Sequence, residues 1–433
     1  MPPQSRRRRG TAPTATAVSA AFAIAVAVLA ALSRGVVALS PSPGSGASAL
    51  LAAPSPPPPP VSRDVAPPDP SPDLDELRTL IELSSLAYCD PADLADWACP
   101  GCQSAAVAGL RDLRIVRDGA RGLQALVGFS PQRGAVVVGF RGTSVCDLEN
   151  WVADLKFLGT DLGEGQRQHG ACVGAGRLWA PEPSLSLLEA ISTSYRPRRP
   201  VRWFTGVAEV PLPRCSPSRH RPCPPIGLHV RVHRGFWEAY HASDLASGVR
   251  EGVGALVEAH RGWLGRPPSV AVAGHSLGGA LAQLAALDLA GLAGGDDGGP
   301  NPRLPSDLVV RVASFGSPRV GNADFVDYLT ASLAAVTGGG HWRVTHGHDP
   351  VPSLPPWVSG FRHAPRELYV WEGSLAPEVS LVRECDGSGE DRRCYDGACG
   401  LHGYGLCTSL ADHLFYLGLP IADPRQCAGV TPT

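Results

Sequence analysis

Residues 269–292, SVAVAGHSLGGALAQLAALDLAGL, contain the pattern that decides the fold. The apolar run 269–273 predicts a buried strand, and the alanine- and leucine-rich run 277–292 predicts a helix. Between them, residues 274–278 (GHSLG) supply glycines on both sides of a sharp strand-to-helix turn, where a Cβ would clash. Such a turn lifts the Ser276 hydroxyl clear of the sheet and favours a nucleophilic serine over an ordinary glycine-rich turn.

Further apolar runs alternate with stretches of helical spacing along the rest of the chain. Strands are predicted at residues 135–140, 308–315, 342–345 and 367–371. Helices are predicted at residues 75–88, 245–260 and 323–335. Buried strands that alternate with helices are typical of an α/β fold with a mostly parallel central sheet covered by helices on both faces.

The N-terminal part of the chain differs in composition from the rest. A run of arginines at 6–9 precedes the uncharged, mostly apolar stretch 17–32, and small residues follow at 38–40. This pattern predicts a signal peptide over residues 1–40. The stretch 17–32 is almost long enough to span a bilayer, so a membrane anchor is one alternative. No acidic residue precedes Asp64, so an organelle transit peptide, such as a chloroplast one, is the second alternative.

Composition also divides the rest of the chain. Residues 41–73 are rich in proline, serine and alanine and predict a linker, because they offer few large apolar groups to pack. Residues 74–433 form the predicted folded domain. Within it, residues 159–227 are rich in proline, arginine, glycine and serine and predict a long, partly disordered insertion.

Charge and cysteine content limit the partners and the compartment. The net charge of −2 gives no bulk attraction to nucleic acid or to an anionic membrane surface, so no nucleic-acid partner is predicted. The 12 cysteines form an even number and all lie after residue 88, which predicts several disulfides in an oxidising compartment. The alternative is a zinc site that combines Cys99 and Cys102 with ligands near Cys399, His402 and Cys407.

A nucleophilic serine requires a base, and the base requires a carboxylate that orients it. After this kind of turn the expected chain order is serine, acid, histidine. Asp349 follows the predicted strand 342–345 and has two prolines close by, so it is the predicted acid. His413 is the last histidine, and the Leu, Phe and Tyr that follow can hold it by packing, so it is the predicted base. The alternative bases are His346, His348 and His363.

The loop after the predicted strand 135–140 offers a place for the oxyanion of such a reaction. Thr143 would donate through its backbone N–H and its hydroxyl, and the Leu277 N–H would be the second donor. Just beyond this loop, one face of a predicted helix collects apolar residues that would form a mobile lid: Leu148, Trp151, Val152 and Leu155. The alternative is an ordinary amphipathic helix packed on the core.

In this order, the motifs resemble those of the class 3, or fungal-type, lipases, which have the α/β-hydrolase fold. The resemblance covers about residues 75–427 apart from the insertion. The motifs are FRGT at 140–143, the tryptophan and the Asp-Leu pair within 151–155, VHRGF at 232–236, GHSLGGALA at 274–282, FGSPRVGN at 315–322, HDPVP at 348–352 and DHLFY at 412–416. Tyr88-Cys89 and Cys99-x-x-Cys102 also resemble the start of the secreted fungal members.

The resemblance implies roles for the candidate residues. They are Ser276 as nucleophile, Asp349 as acid, His413 as base, Thr143 and Leu277 as oxyanion donors, and the Trp151 segment as a lid. The disulfides that the resemblance suggests are Cys99–Cys102, Cys385–Cys394 and Cys89–Cys427. Pairs suggested by proximity in the chain are Cys215–Cys223 and Cys399–Cys407. Pairing Cys146 with Cys172 would then tether one end of the lid segment, which departs from the family.

The predicted reaction is ester hydrolysis through an acyl-enzyme on Ser276, which requires no metal or organic cofactor. The expected substrate is an acylglycerol at a lipid–water interface, and no obligate protein partner is inferred. A polar-lipid acyl hydrolase and an esterase for plant-wall esters would use the same residues and stay open as alternatives. A non-catalytic lipase-like scaffold is the alternative of a different class, and the presence of all three triad candidates disfavours it.

Overall fold

The computed structural model describes residues 73–144, 148, 207–209, 229–292, 304–336, 338–373, 376–399 and 407–427. The predicted signal peptide and most of the predicted linker and insertion lie outside these residues. Within the insertion, residues 207–209 form a short strand. In the part of the chain that the structure describes, no helix is both long enough and apolar enough to cross a membrane.

Strands and helices alternate along the described residues, as the hydrophobic pattern predicts. In chain order the strands are β1 (Arg111–Asp118), β2 (Leu123–Ser130), β3 (Ala135–Phe140), β4 (Val207–Glu209), β5 (Arg231–His233), β6 (Ser269–His275), β7 (Val310–Phe315), β8 (Gly340–His346), β9 (Glu367–Gly373), β10 (Ala376–Glu384), β11 (Phe415–Tyr416) and β12 (Leu419–Pro420). The α-helices are α1 (Leu74–Leu86), α2 (Pro91–Leu94), α3 (Arg234–His241), α4 (Asp244–Leu264), α5 (Leu277–Leu292), α6 (Ala323–Ala334), α7 (Tyr395–Ala398) and α8 (Leu410–His413).

Eight of these strands form one sheet in the order β1-β2-β3-β6-β7-β8-β9-β10. Neighbours from β3 to β9 run parallel. At the two edges, β1, β2 and β10 are added in antiparallel pairs. The prediction of a mostly parallel sheet is therefore confirmed. The carboxyl ends of its parallel strands meet at one edge, which is where ligands bind in open α/β sheets.

Helices cover both faces of the sheet because strand side chains alternate between two apolar clusters. Val136 and Val138 of β3 belong to the cluster that includes residues of α3 to α6. Val137, between them, belongs to the cluster that includes residues of α1 and of the C-terminal segment. All positions of β3 and β6 are buried, which is typical of central strands in a parallel sheet with both faces covered.

Of the eight strands in this sheet, the sequence pattern does not predict β2 (Leu123–Ser130) or the two edge strands, β1 and β10. Both edge strands carry several charged residues, such as Arg114 and Arg117 in β1, and these interrupt the apolar runs. Charged side chains on edge strands discourage pairing with other chains. The charged residues that interrupt the apolar pattern of β1 and β10 are therefore suited to strands at the edges of a sheet.

Four disulfides join cysteines within the described residues, and all four pairs are among those predicted. They are Cys89–Cys427, Cys99–Cys102, Cys385–Cys394 and Cys399–Cys407. The zinc alternative is therefore wrong for Cys99, Cys102, Cys399 and Cys407, because their sulfurs are bonded in pairs. The remaining predicted pairs, Cys146–Cys172 and Cys215–Cys223, lie outside the described residues.

Candidate active site

Ser276 lies at the turn between β6 and α5, at the carboxyl ends of the parallel strands. Its φ of +59° is in the left-handed region, which a non-glycine residue adopts only where the surrounding structure imposes it. The Ser276 N–H donates to the Phe315 carbonyl oxygen (2.9 Å) and so ties the turn to β7. A Cβ at Gly274 would overlap the Gly278 backbone, and one at Gly278 would overlap the Phe140 carbonyl oxygen. Close backbone approach therefore requires both glycines.

Asp349 and His413, 64 residues apart in the chain, form a direct pair. His413 Nδ1 lies 2.9 Å from each carboxylate oxygen of Asp349, and both side chains are fully buried. Because an ionised carboxylate only accepts hydrogen bonds, Nδ1 carries the proton and Nε2 of the neutral ring keeps its lone pair. Neither this Nε2 nor the buried Ser276 Oγ has a hydrogen-bond partner among the described residues. Base and hydroxyl are therefore both available for chemistry.

Hydrogen bonds to three further residues hold Asp349. The Tyr416 hydroxyl donates to Oδ2 (2.5 Å), and the Val351 N–H donates to Oδ1 (2.8 Å). The Tyr395 hydroxyl donates to the Asp349 carbonyl oxygen. Burial raises the pKa of Tyr416 and of Tyr395 well above the usual value for tyrosine, and the charge of Asp349 adds to the effect. Both hydroxyls therefore stay protonated and act as donors.

Arg319 anchors the loop that carries Asp349. Its guanidinium donates to the carbonyl oxygens of Ser353 (2.8 Å) and Pro355 (3.1 Å) and forms an ion pair with Glu390 (2.8 Å). Burial alone would raise the pKa of Glu390, but the hydrogen bonds from Arg319 and the nearby positive charges outweigh it and lower this pKa to about 2. The pair therefore stays charged at neutral pH and keeps the loop in place.

The loop at Thr143 lies against the serine turn. A Cβ at Gly142 would come within 2.9 Å of the Ser276 Cβ, so the two segments are in close contact. Thr143 Oγ1 is shielded from solvent and has no hydrogen-bond partner in the described part of the chain. Leu277 is the first residue of α5, so its N–H is one of the amides that have no partner within the helix. These donors and the helix dipole favour a negatively charged oxygen here.

The alternative bases have other positions. His363 Nε2 lies 2.7 Å from the Pro352 carbonyl oxygen, and His346 Nδ1 lies 2.9 Å from the Asp412 carbonyl oxygen. The His348 side chain is 60% exposed. Among these predicted candidates, His413 is the histidine whose ring the structure places against the carboxylate of the predicted acid.

Of the four predicted lid residues, Leu148 is the one that the structure describes. It is buried in the apolar cluster that includes residues of α3 to α6. Trp151, Val152 and Leu155 lie outside the described residues, so the lid stays a prediction.

Two neighbours of the site have no role in the sequence-based assignment. His275, inside the GHSLG motif, hydrogen-bonds to Tyr88 and to the His413 backbone. From the sequence alone, Tyr88 is noted only because it precedes Cys89 in the chain. A buried histidine beside the nucleophile requires hydrogen-bond partners, so the motif itself carries a signal that partners exist. Only the folded chain shows which residues they are.

One cluster within the described residues brings three groups of metal-binding type together. It consists of Glu367, Cys385 and Cys394. The two sulfurs are bonded to each other and are therefore not thiolate ligands. In the oxidised protein this cluster is a structural cross-link.

The chain is similar to known proteins that are described as lipases. A family model described as lipase (class 3) matches residues 201–359, which include the GHSLG turn and Asp349. The secreted mono- and diacylglycerol lipase 1 of Fusarium solani is 38% identical over 172 residues, which are 39% of this chain and 44% of that protein. The lipase of Rhizomucor miehei is 26% identical over 355 residues, which are 81% of this chain and 70% of that protein. The chain therefore spans less than half of the length of the Fusarium relative.

Solved structures share the fold. The native Rhizomucor miehei lipase propeptide complex is 24% identical with a TM-score of 0.51, and the match covers 81% of each chain. Lipase II from Rhizopus niveus is 22% identical with a TM-score of 0.52, and the match covers 81% of this chain and 96% of the other. These likenesses show the fold alone. The matching family model and the curated relatives show in addition that the chain is similar to class 3, fungal-type lipases, over residues 201–359 in the family model and over 81% of the chain in the Rhizomucor miehei relative.

Proposed function

We propose that the chain is a serine carboxylic-ester hydrolase that cleaves acylglycerols at a lipid–water interface. The observation that carries this proposal is the pairing of His413 with Asp349, in which both carboxylate oxygens lie 2.9 Å from Nδ1. This pairing leaves Nε2 as the basic nitrogen, while Ser276 presents a buried hydroxyl on a strained turn. A serine, a free imidazole nitrogen and a buried carboxylate are the groups that acyl transfer requires.

The reaction would proceed in two halves. In the first, His413 Nε2 takes the Ser276 proton while the serine oxygen attacks the ester carbonyl carbon. Asp349 stabilises the imidazolium that forms and keeps its Nδ1–H directed at the carboxylate. The imidazolium protonates the leaving alcohol, and the acyl group stays on Ser276. In the second half, water replaces the alcohol and the same proton transfers release the carboxylic acid.

The negatively charged oxygen of each tetrahedral intermediate would lie between the Thr143 loop and the start of α5. Support comes from Thr143 Oγ1, which has no partner in the described part of the chain, and from the Leu277 N–H at the first position of the helix. Donors that are fixed before the reaction need no rearrangement as charge develops. One such donor is typically worth about 10²- to 10³-fold in kcat.

The substrate class and the compartment are proposed from the relatives together with the disulfides. The Fusarium solani relative is a secreted mono- and diacylglycerol lipase, and the Rhizomucor miehei relative is a lipase. Disulfides such as Cys89–Cys427 are typical of proteins from oxidising compartments, which supports secretion of this chain as well.

Hydrolysis of an emulsified long-chain triacylglycerol, compared with a soluble butyrate ester, tests the substrate class. We expect the wild-type protein to release fatty acid from the emulsion faster than acid from the soluble ester, because the proposed site acts on a lipid surface. Ser276→Ala protein should release no acid above the buffer background from either substrate. Titration of released acid at constant pH measures both rates.

Ser269→Ala is the matched control, since Ser269 is a buried serine at the other end of the same strand. It should keep the wild-type rates. Activity confined to the soluble ester would retain Ser276 as nucleophile and move the substrate to small or polar-lipid esters. Equal activity in wild-type and Ser276→Ala protein would contradict the proposed reaction.

A further inference from the structure

Among the buried polar groups that the proposed reaction does not use, His275 is the one most directly linked to the site. Its Nε2 lies 2.7 Å from the His413 carbonyl oxygen, and its Nδ1 lies 2.8 Å from the Tyr88 hydroxyl oxygen. The side chain is almost fully buried, at 1% exposure. One imidazole therefore bridges two segments that lie 138 and 187 residues away in the chain.

The chemistry of the partners places the protons of this bridge. A carbonyl oxygen only accepts, so His275 Nε2 carries a proton and donates to His413. Nδ1 of the neutral ring then accepts, and the Tyr88 hydroxyl is its donor. Burial, with a contribution from the neighbouring His413 ring, lowers the pKa of His275 well below its usual value, and burial raises the pKa of Tyr88. Both groups are therefore neutral at neutral pH, as the bridge requires.

The far end of the bridge reaches the loop that precedes Thr143. The Gly142 backbone lies directly against the Tyr88 hydroxyl, since a Cβ at Gly142 would overlap that oxygen. The contacts therefore run from the proposed oxyanion loop through Tyr88 and His275 to the backbone of His413. The proposed oxyanion loop and the backbone of the proposed base are therefore linked through Tyr88 and His275.

His413 depends on such support because of its position. It is the last residue of α8, a helix of four residues, and the end of a helix leaves carbonyl groups without partners in the helix. A single helical turn has little stability of its own. Asp349 holds the imidazole, and His275 holds the carbonyl of the same residue. Two anchors, one on the side chain and one on the backbone, together set the position of Nε2.

We propose that His275, held by Tyr88, is a positioning residue that fixes the His413 backbone so that Nε2 is directed at Ser276 Oγ. This proposal rests on the proposed function and deepens it. The hydrogen bonds of His275 go to the Tyr88 hydroxyl and the His413 carbonyl oxygen, and its ring packs against the His413 ring with centroids 4.5 Å apart, so it acts through His413. A displacement of about 1 Å at a reacting group can cost about 10²-fold in rate, so the bridge affects kcat rather than substrate binding.

Two substitutions of one residue separate positioning from a general structural role. His275→Leu removes both hydrogen bonds, whereas His275→Gln keeps an amide N–H for the His413 carbonyl. We expect kcat for a soluble ester to fall by about 10- to 100-fold in His275→Leu while KM stays within about twofold. Most of the lost kcat should return in His275→Gln.

His341→Leu is the matched control. His341 is also a buried histidine, its pKa is lowered by burial to about 4, and it lies at the opposite end of β8 from Asp349. We expect it to keep the wild-type kcat even if the melting temperature falls as much as in His275→Leu. A loss in His275→Leu that appears only in KM, or one that His275→Gln does not relieve, would overturn the proposal.

A measurement without turnover tests the geometry itself. The proton between His413 Nδ1 and Asp349 should give a low-field proton NMR resonance in the wild-type protein. We expect this resonance to be lost in His275→Leu and kept in His275→Gln and His341→Leu. Its persistence in His275→Leu would overturn the proposal. If the wild-type protein hydrolyses no ester, the proposed function fails, and the resonance still decides whether the bridge holds His413.

Discussion

Asp349→Asn is expected to lower kcat/KM for a soluble ester by about 10³- to 10⁴-fold. The Val351 N–H can only donate and so fixes an oxygen at the Oδ1 position, whereas the Tyr416 hydroxyl at Oδ2 can turn to accept; the amide nitrogen therefore takes the place of Oδ2, 2.9 Å from His413 Nδ1. A donor then faces a nitrogen that itself donates, which favours the wrong tautomer of His413. The negative charge that stabilises the imidazolium is lost as well. Initial rates over a range of substrate concentrations measure the effect.

Asp412→Asn is the matched control, because Asp412 precedes His413 in the chain but binds other groups. Its carboxylate accepts hydrogen bonds from the Ser409 hydroxyl (2.7 Å) and from the His348 N–H (2.6 Å). We expect this variant to keep most of the wild-type kcat/KM. A loss below about tenfold in Asp349→Asn, against the 10⁴-fold typical of such an acid, would contradict the role of Asp349.

Replacement of both Cys89 and Cys427 by alanine is expected to lower the free energy of unfolding by about 5 kcal/mol. The disulfide joins residues 338 positions apart and therefore closes most of the folded domain into one loop. A cross-link acts mainly by limiting the conformations of the unfolded chain, and its effect grows with the logarithm of the loop length. Alanine avoids the introduction of a hydroxyl group where Cys89 is buried.

The same double replacement at Cys99 and Cys102 is the control, because this disulfide spans 3 positions and its loss should cost about 1.5 kcal/mol. Urea unfolding of both variants under non-reducing conditions measures the two free energies. We expect a clearly lower urea midpoint for the variant without Cys89–Cys427. Equal midpoints for the two variants would show that loop length does not determine these contributions.

The central strands could be predicted from the sequence, and their register could not. Strands β3 and β6 are continuous apolar runs, and such runs are typical of strands buried on both faces. In the sheet, Val270 lies opposite Val136 on one side and Val310 on the other. This register depends on how helices and strands pack together, and no local pattern contains that information.

The positions of the proposed triad could be predicted because each residue lies in a short motif and the chain order of the motifs is restricted. Tyr88 and His275 differ, since their contact joins residues 187 positions apart and neither motif names the other. A buried polar side chain needs partners, so the sequence implies that His275 has some. Their identity follows only from the close approach of α1, the Gly142 loop and α8 to the serine turn.

In the proposed reaction, Ser276 is the nucleophile and His413 would activate it. A fluorophosphonate added to the folded protein tests this directly, because an activated serine oxygen displaces fluoride and forms a stable phosphonyl adduct. Peptide mass spectrometry then locates the adduct. We expect a single adduct at Ser276 in the wild-type protein, none at this position in Ser276→Ala and much slower labelling in His413→Ala. Folded wild-type protein without an adduct at Ser276, or equally fast labelling in His413→Ala, would contradict this assignment.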